Sequence, residues 1–302
     1  MEEKQLYQLL KNSLYVFLGA CCFGILSTVV KLAYSKGFKF QEVMISQFFT
    51  GWLILLVLML VFARRRITLK QFGRLACVGL CTCLTGVTYY LSLQSIPASI
   101  AVVLLFQFTW MGVVIEAIVN RKIPSRATLV SIIILLVGTV LAGGIIGAEQ
   151  LQLNLRGTLL GLAAALMMAL FVFFSGRVET QMSPITRSFY MSCGGLILLT
   201  VLFTPKVFLE VSPANGLWIY GLILGAFGVV LPVLLFALGA PKISTGLATI
   251  LGAGELPVAV IVSMLVLREH VSMTQWIGVI IILLGIAYPQ IAAVRTKKAQ
   301  AT

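Results

Sequence analysis

The chain has 302 residues, of which 60% are hydrophobic and 10% charged, with a mean hydropathy of +1.07. No water-soluble domain could cover so much apolar surface, so the solvent is lipid. The net charge of +13 does not mark a nucleic-acid binder, because the 22 Lys and Arg sit in short loops and not on one face; such cations set membrane topology.

Roughly twenty apolar residues are needed per helix to cross the hydrocarbon core. In chain order the runs that meet this need lie near 13–34, 42–62, 72–94, 98–119 and 126–147, then 156–175, 184–204, 215–238, 243–267 and 274–294. The expected fold class is an all-α polytopic membrane protein with ten transmembrane helices. Residues 1–12 are polar, no cleavable-signal pattern is present, and the first run is long enough to stay as a span.

If the N-terminus is cytoplasmic, the inner side holds Lys4, Lys11, Arg64, Arg65, Arg66, Lys70, Arg74, Arg121, Lys122, Arg126, Arg177, Arg187, Lys242, Arg295, Lys297 and Lys298. The outer side holds only Lys31, Lys36, Lys39, Arg156, Lys206 and Arg268. This imbalance predicts a multi-pass protein of the cell (inner) membrane with both termini cytoplasmic.

The chain also aligns with itself. A shift of 147 carries 98–140 onto 245–287, placing Ala101 on Ala248, Leu104 on Leu251, Arg121 on Arg268, Ser125 on Ser272 and Gly138 on Gly285. Such a duplication of spans is a sequence trace of a transporter. It divides the chain into 1–147, with spans one to five, and 148–302, with spans six to ten. Five is odd, so the second unit is expected to be inverted. The loop charges agree. Arg121, Lys122 and Arg126 follow span four, whereas the copy after span nine keeps only Arg268 and gains Glu269. The front halves pair at a shift near 143, matching Gln47 with Tyr190 and Gly51 with Gly194.

A polar group at mid-membrane is costly unless it faces a cavity or a partner. Glu255 is the strongest such group. It sits near the middle of span nine on a face of small residues, Ala248, Gly252, Ala259 and Ser263. A carboxyl group there can exchange a proton or hold a cationic substrate; a bond to a neighbouring helix is the structural alternative. Gln107 is its counterpart in span four, one place off, and shares a helical face with Trp110. Together they can line a site for a zwitterionic or planar solute, or simply join two helices. Gln47 and Tyr190 each stand one turn before a glycine in matched places. Tyr90, beside Tyr89, is expected as an aromatic wall. Pro257 and Pro232 interrupt backbone hydrogen bonding inside spans nine and eight. With Gly86, near the repeat equivalent of Pro232, they are the expected gating residues, a plain kink being the alternative. Lys31 is expected to snorkel to the outer interface, and Glu116 to pair locally with Arg121.

The six cysteines, Cys21, Cys22, Cys77, Cys81, Cys83 and Cys193, all fall in apolar runs without a CxxC pair. They read as packing groups, and neither metal nor cofactor is expected. There is no HExxH, no GxSxG and no Asp, and the single His lies in a loop, so an enzyme is not expected.

Residues 248–286 read ATILGAGELPVAVIVSMLVLREHVSMTQWIGVIIILLGI, with Pro257, Arg268-Glu269, Gln275, Gly278 and Gly285 in place. This segment resembles the repeat of the ten-helix EamA branch of the drug/metabolite transporter superfamily. Phe23 to Lys31, FGILSTVVK, resembles that family's first-helix motif. The first copy departs: Trp110 stands at the position of Pro257, and Lys122 at that of Glu269. The resemblance implies two inverted five-helix repeats. A central cavity would be lined by the first four helices of each, with helices five and ten at the periphery. It implies a monomer or loose homodimer that moves a small polar metabolite, an amino acid or related compound, outward by alternating access. Proton-coupled efflux of drugs or organic cations is the alternative, and a channel is a more distant one. The implied partners are a small-molecule substrate, the lipid bilayer and, where coupling is used, protons.

Overall fold

The computed structural model describes residues 2–63, 67–96, 98–144, 154–203, 216–268 and 270–301. The first half contains α1 (Glu2–Ser35), α2 (Phe40–Phe62), α3 (Leu69–Leu93), a fourth span split into α4 (Ala98–Leu105) and α5 (Phe108–Asn120), and α6 (Arg126–Ala142). The second half contains α7 (Leu155–Ser175) and α8 (Pro184–Leu202). Its eighth span is built from α9 (Leu217–Gly225), a π-helical turn (Ala226–Val230) and α10 (Leu231–Gly239). The ninth comprises α11 (Thr245–Gly252), α12 (Glu255–Val262) and a π-helical turn (Ser263–Leu267), and α13 (Met273–Ala301) is the tenth. Eight of these spans are long and apolar enough to cross a membrane, and Arg126–Ala142 and Met273–Pro289 are shorter apolar helices. Ten is even, so the start of α1 and the end of α13 lie on one face, the terminal face; the opposite one is the far face.

Helix ends are closed by side chains where the loops are short. Thr68 and Gln71 bond reciprocally at the start of α3, and Asn154, Ser183 and Ser244 cap α7, α8 and α11. Ser125 and Ser272, paired by the self-alignment, cap α6 and α13. Arg121 and Arg268, also paired, both end their spans in left-handed backbone, with φ of 51° and 55°.

The tertiary contacts obey the same two-fold relation. Span two packs on span eight and span seven on span three; span one packs on eight and nine, and span six on three and four. Spans five and ten pack on each other. There the same contact occurs twice, because Gly138 abuts Ile282 and Gly285 abuts Leu135. The shift of 147 exchanges those two pairs. Small residues let the backbones approach where no hydrophobic force drives helices together in lipid.

Spans four and nine break at equivalent places. Gln107 N donates to Leu104 O and Thr109 N to Phe106 O; Gly254 N donates to Leu251 O and Leu256 N to Ala253 O. These are i to i−3 bonds at positions related by 147. Pro257 explains the second break, since it has no N–H to offer Ala253 O. Span four has Trp110 in that place. There the Thr109 hydroxyl also donates to Phe106 O, at 2.9 Å, and takes up the freed carbonyl.

Two expectations about charged residues are corrected. Glu116 does not pair with Arg121; its carboxylate accepts from Thr245 N at 3.0 Å and Gly246 N at 2.5 Å, at the start of α11. A helix N-terminus offers unsatisfied N–H groups and partial positive charge, and so outcompetes an exposed arginine. Arg187 is not a loop cation. It lies in α8 with 1% of its surface exposed. Glu269 lies outside the described residues, as does the expected repeat boundary at 147–148.

Candidate functional site

A cavity of about 550 Å³ runs from the middle of the bundle toward the far face. Its mouth is marked by Lys31 and Tyr34 at the end of α1, Gly143 after α6 and Ser263. Glu255 lies deep in it, at the break in span nine, and is the one carboxylate among its described lining residues. As the first residue of α12 it also benefits from the positive end of that half-helix. Gly24 of α1 lies against the backbone carbonyl of Glu255, with no room for a side chain. That approach brings span one directly against the break.

Gln47 of α2 lines the cavity with only 5% of its surface exposed, and its Oε1 is buried with no hydrogen-bond partner. Tyr90 and Gly86 line the cavity, as does Tyr89, so both tyrosines of the pair face it. Pro257 and Pro232 are buried in the helices behind its wall. Gln107, Trp110 and Tyr190 lie outside the lining. Gln107 and Trp110 satisfy each other: indole Nε1 donates to Gln107 Oε1 at 2.9 Å, while Gln107 Nε2 donates to Val103 O at 2.8 Å. Tyr190 packs edge-on against Phe72.

Sequence reading missed a stripe on α3. Thr82, Thr85, Gly86 and Tyr89 all line the cavity at helical spacing. Both threonine hydroxyls donate to carbonyls of their own helix. Polar and small residues recurring at three and four are the only sequence trace of this stripe, and they do not distinguish a lumenal face from a lipid-facing one.

The terminal side is sealed. Phe236 packs against Phe23 and Phe171, with ring centroids 6.5 and 5.4 Å apart, beneath the cavity. Nearer the surface, polar bonds join the two halves. Glu116 holds the start of α11. Arg177 bridges Thr245 and Asn120, and Glu179 accepts from Gln71 and Arg74. Gly112 abuts Thr249.

The two-fold relation makes the seal informative. A shift of 147 carries Val102 onto Thr249, Gly112 onto Ala259 and Glu116 onto Ser263. On the terminal face Gly112 and Thr249 touch, whereas on the far face Val102, Ala259 and Ser263 all line open space. Equivalent surfaces are therefore shut at one side and parted at the other.

A multi-pass membrane protein of two inverted repeats, with broken helices meeting at a mid-membrane cavity, has the architecture of a transporter. The chain belongs to the EamA-like transporter family, whose sequence profile matches residues 10–144 and 155–288. It is similar to YcbK, an uncharacterized transporter of Bacillus subtilis (strain 168), with 22% identity over 95% of this chain and 96% of that one. It is also similar to YicL, an uncharacterized inner membrane transporter of Salmonella typhimurium (strain LT2), with 27% identity over 65% of each chain. A solved crystal structure shares the fold at a TM-score of 0.75 and 18% identity, covering 95% of this chain and 98% of that one.

Proposed function

We propose that this chain is a secondary carrier that moves a small polar metabolite, an amino acid or related compound, outward across the inner membrane by alternating access. The supporting observation is the asymmetry just described: repeat-related surfaces in contact on the terminal face and apart on the far face. Exchanging those arrangements between the repeats turns the cavity to the opposite side. The loop cations support cytoplasmic termini, which makes the described state outward-facing. Residues 1–147 and 148–302 act as the two moving units.

In this reading Glu255 and the unpartnered Gln47 Oε1 are acceptors for a substrate ammonium, and Tyr90 supplies an apolar wall. Gly86, Pro232 and Pro257 permit the helix bending that opens and closes the path. Gln107 and Trp110 brace the break in span four. Tyr190, the repeat partner of Gln47, faces substrate in the opposite state. A second reading, proton-coupled efflux of organic cations, draws on Glu255 being the one carboxylate among the described lining residues.

The test is a panel of labelled amino acids, nucleosides and quaternary amines offered to proteoliposomes. Saturable uptake stimulated by counterflow is expected for an amino acid. Uptake of quaternary amines alone would favour the second reading. Bulk conductance without saturation would sink both.

A further inference from the structure

Arg187 is the largest fully buried side chain of the molecule's described part, and it lies on the sealed side. Its Nη1 donates to Ala237 O at 2.9 Å and its Nη2 to Ser175 O at 2.5 Å. Those carbonyls belong to the ends of α10 and α7, where the helix dipole is negative. Among the described residues no carboxylate lies within 4.0 Å of it. Glu179, whose charge reaches it, is bonded to Arg74 instead. The Nε of Arg187 has no partner, and neither do the hydroxyls of Ser175 and Ser188 beside it. A guanidinium buried inside a protein is costly, and an incompletely satisfied one more so. Pinning two helix ends does not require a charge with a donor left over.

The repeat relation supplies the missing role. The shift of 143 that pairs Gln47 with Tyr190 carries Met44 onto Arg187 and Phe48 onto Met191. The packing supports that register. Gly51 of α2 abuts Val229 of span eight, and Gly194 of α8 abuts Ala76 of span three. Likewise Met44 reaches Gly86 in span three, and Arg187 reaches Ala237 in span eight. Met44, Gln47 and Phe48 all line the open cavity. If the repeats exchange their arrangements, the partners of these residues line the counterpart of the cavity.

We propose that Arg187 is an anion-recognising group of the vestibule that opens on the terminal face. It is closed against helix carbonyls in the described state. When α7 and α10 separate it is freed to bind the carboxylate, or another anionic oxygen group, of a solute arriving from that side. The guanidinium fork suits such a group. The matching place in the far-face vestibule holds Met44, which has no such affinity. At this level the two vestibules therefore differ in charge, the cation of the far one, Lys31, lying at its mouth instead. A zwitterion would meet Arg187 on the terminal side and Glu255 at the centre.

This inference rests on the alternating-access reading, and local electrostatics tests it without knowledge of the substrate. Met191→Cys is introduced where the six native cysteines have been replaced. Two membrane-impermeant methanethiosulfonates, one carrying a sulfonate and one a quaternary ammonium, are applied from the terminal face. Glu116→Gln is added to favour opening of that face. The sulfonate reagent is expected to react preferentially. Arg187→Gln should lower the sulfonate-to-ammonium rate ratio about tenfold, and Arg187→Lys should keep most of it. A ratio indifferent to Arg187→Gln overturns the inference; if that variant does not fold, a ratio in the Arg187-containing protein that shows no preference for the sulfonate does so equally. Ala259→Cys, on the open cavity, separates the two levels of failure. If it reacts from the far face while the Met191→Cys protein never reacts from the terminal face, alternation itself is refuted. If both react but charge selectivity is absent, only the role of Arg187 falls.

Discussion

The far and terminal faces are built from the same repeat, yet one holds a lumen and the other a seal. At the open end Val102, Ala259 and Ser263 line the cavity. At the closed end their counterparts Thr249, Gly112 and Glu116 lie in or beside direct helix contacts. Backbone topology is common to both, so the side chains decide which end is shut. Glu116 makes two charge-assisted bonds to a helix N-terminus, and Ser263, in the equivalent place, has only its hydroxyl bonded to Val260 O. The sealed end is thus favoured by a latch that the open end lacks. The midplane is asymmetric as well: Glu255 faces the cavity where its partner Phe108 is fully buried against Gly252.

The midplane difference should give the largest effect. Glu255→Gln keeps the shape of the side chain and removes its charge and its capacity to hold and release a proton. Uptake in proteoliposomes is expected to fall at least about tenfold, or ~1.4 kcal/mol on the transport barrier, with normal expression. Wild-type uptake in this variant at every pH tested would mean that the carboxylate has no role in transport.

Next comes the latch. Glu116→Gln replaces charge-assisted bonds with neutral ones, at a cost of about 1–2 kcal/mol. That shifts the balance between the two states about tenfold toward opening of the terminal face. Labelling of a terminal-face cysteine should quicken by a similar factor while labelling at Ala259→Cys slows. The reciprocal change, Ser263→Glu, places a latch on the far face and should slow labelling there by a few-fold, on the order of 1 kcal/mol. If both variants leave the two accessibilities unchanged, the seal depends on apolar packing around Phe236 and not on Glu116.

Much of this architecture is legible in the sequence, because lipid imposes simple rules on length and apolarity. The ten spans, the self-match at 147, and the pairing of Ser125 with Ser272 all follow from residue spacing. Glu255 was legible for the same reason, as a lone carboxylate in an apolar run. The polar lining at Thr82 and Thr85 was not, since a hydroxyl bonded to its own helix is equally at home against lipid. Nor was the partner of Glu116. Arg121 is near in sequence, but the start of α11 is near only once two distant spans have packed. Arg187 read as a topological cation because span seven begins beside it, and only burial distinguishes it from one.

The smallest effect is expected at Gln107, and it tests whether the break in span four is a structural or a solute-facing element. Sequence spacing alone makes Gln107→Ala a change of substrate preference. The geometry points elsewhere, because both ends of the amide are occupied, by Trp110 Nε1 and Val103 O. Removing it leaves the indole N–H without its acceptor, at a cost of about 1 kcal/mol of stability. The expected outcome is a slightly lower melting temperature in detergent, with uptake and substrate ranking within about twofold of wild type, a change under ~0.5 kcal/mol. A large change in ranking without loss of stability would show that Gln107 turns toward the solute during the cycle. The break in span four would then share the work that the described state gives to span nine alone.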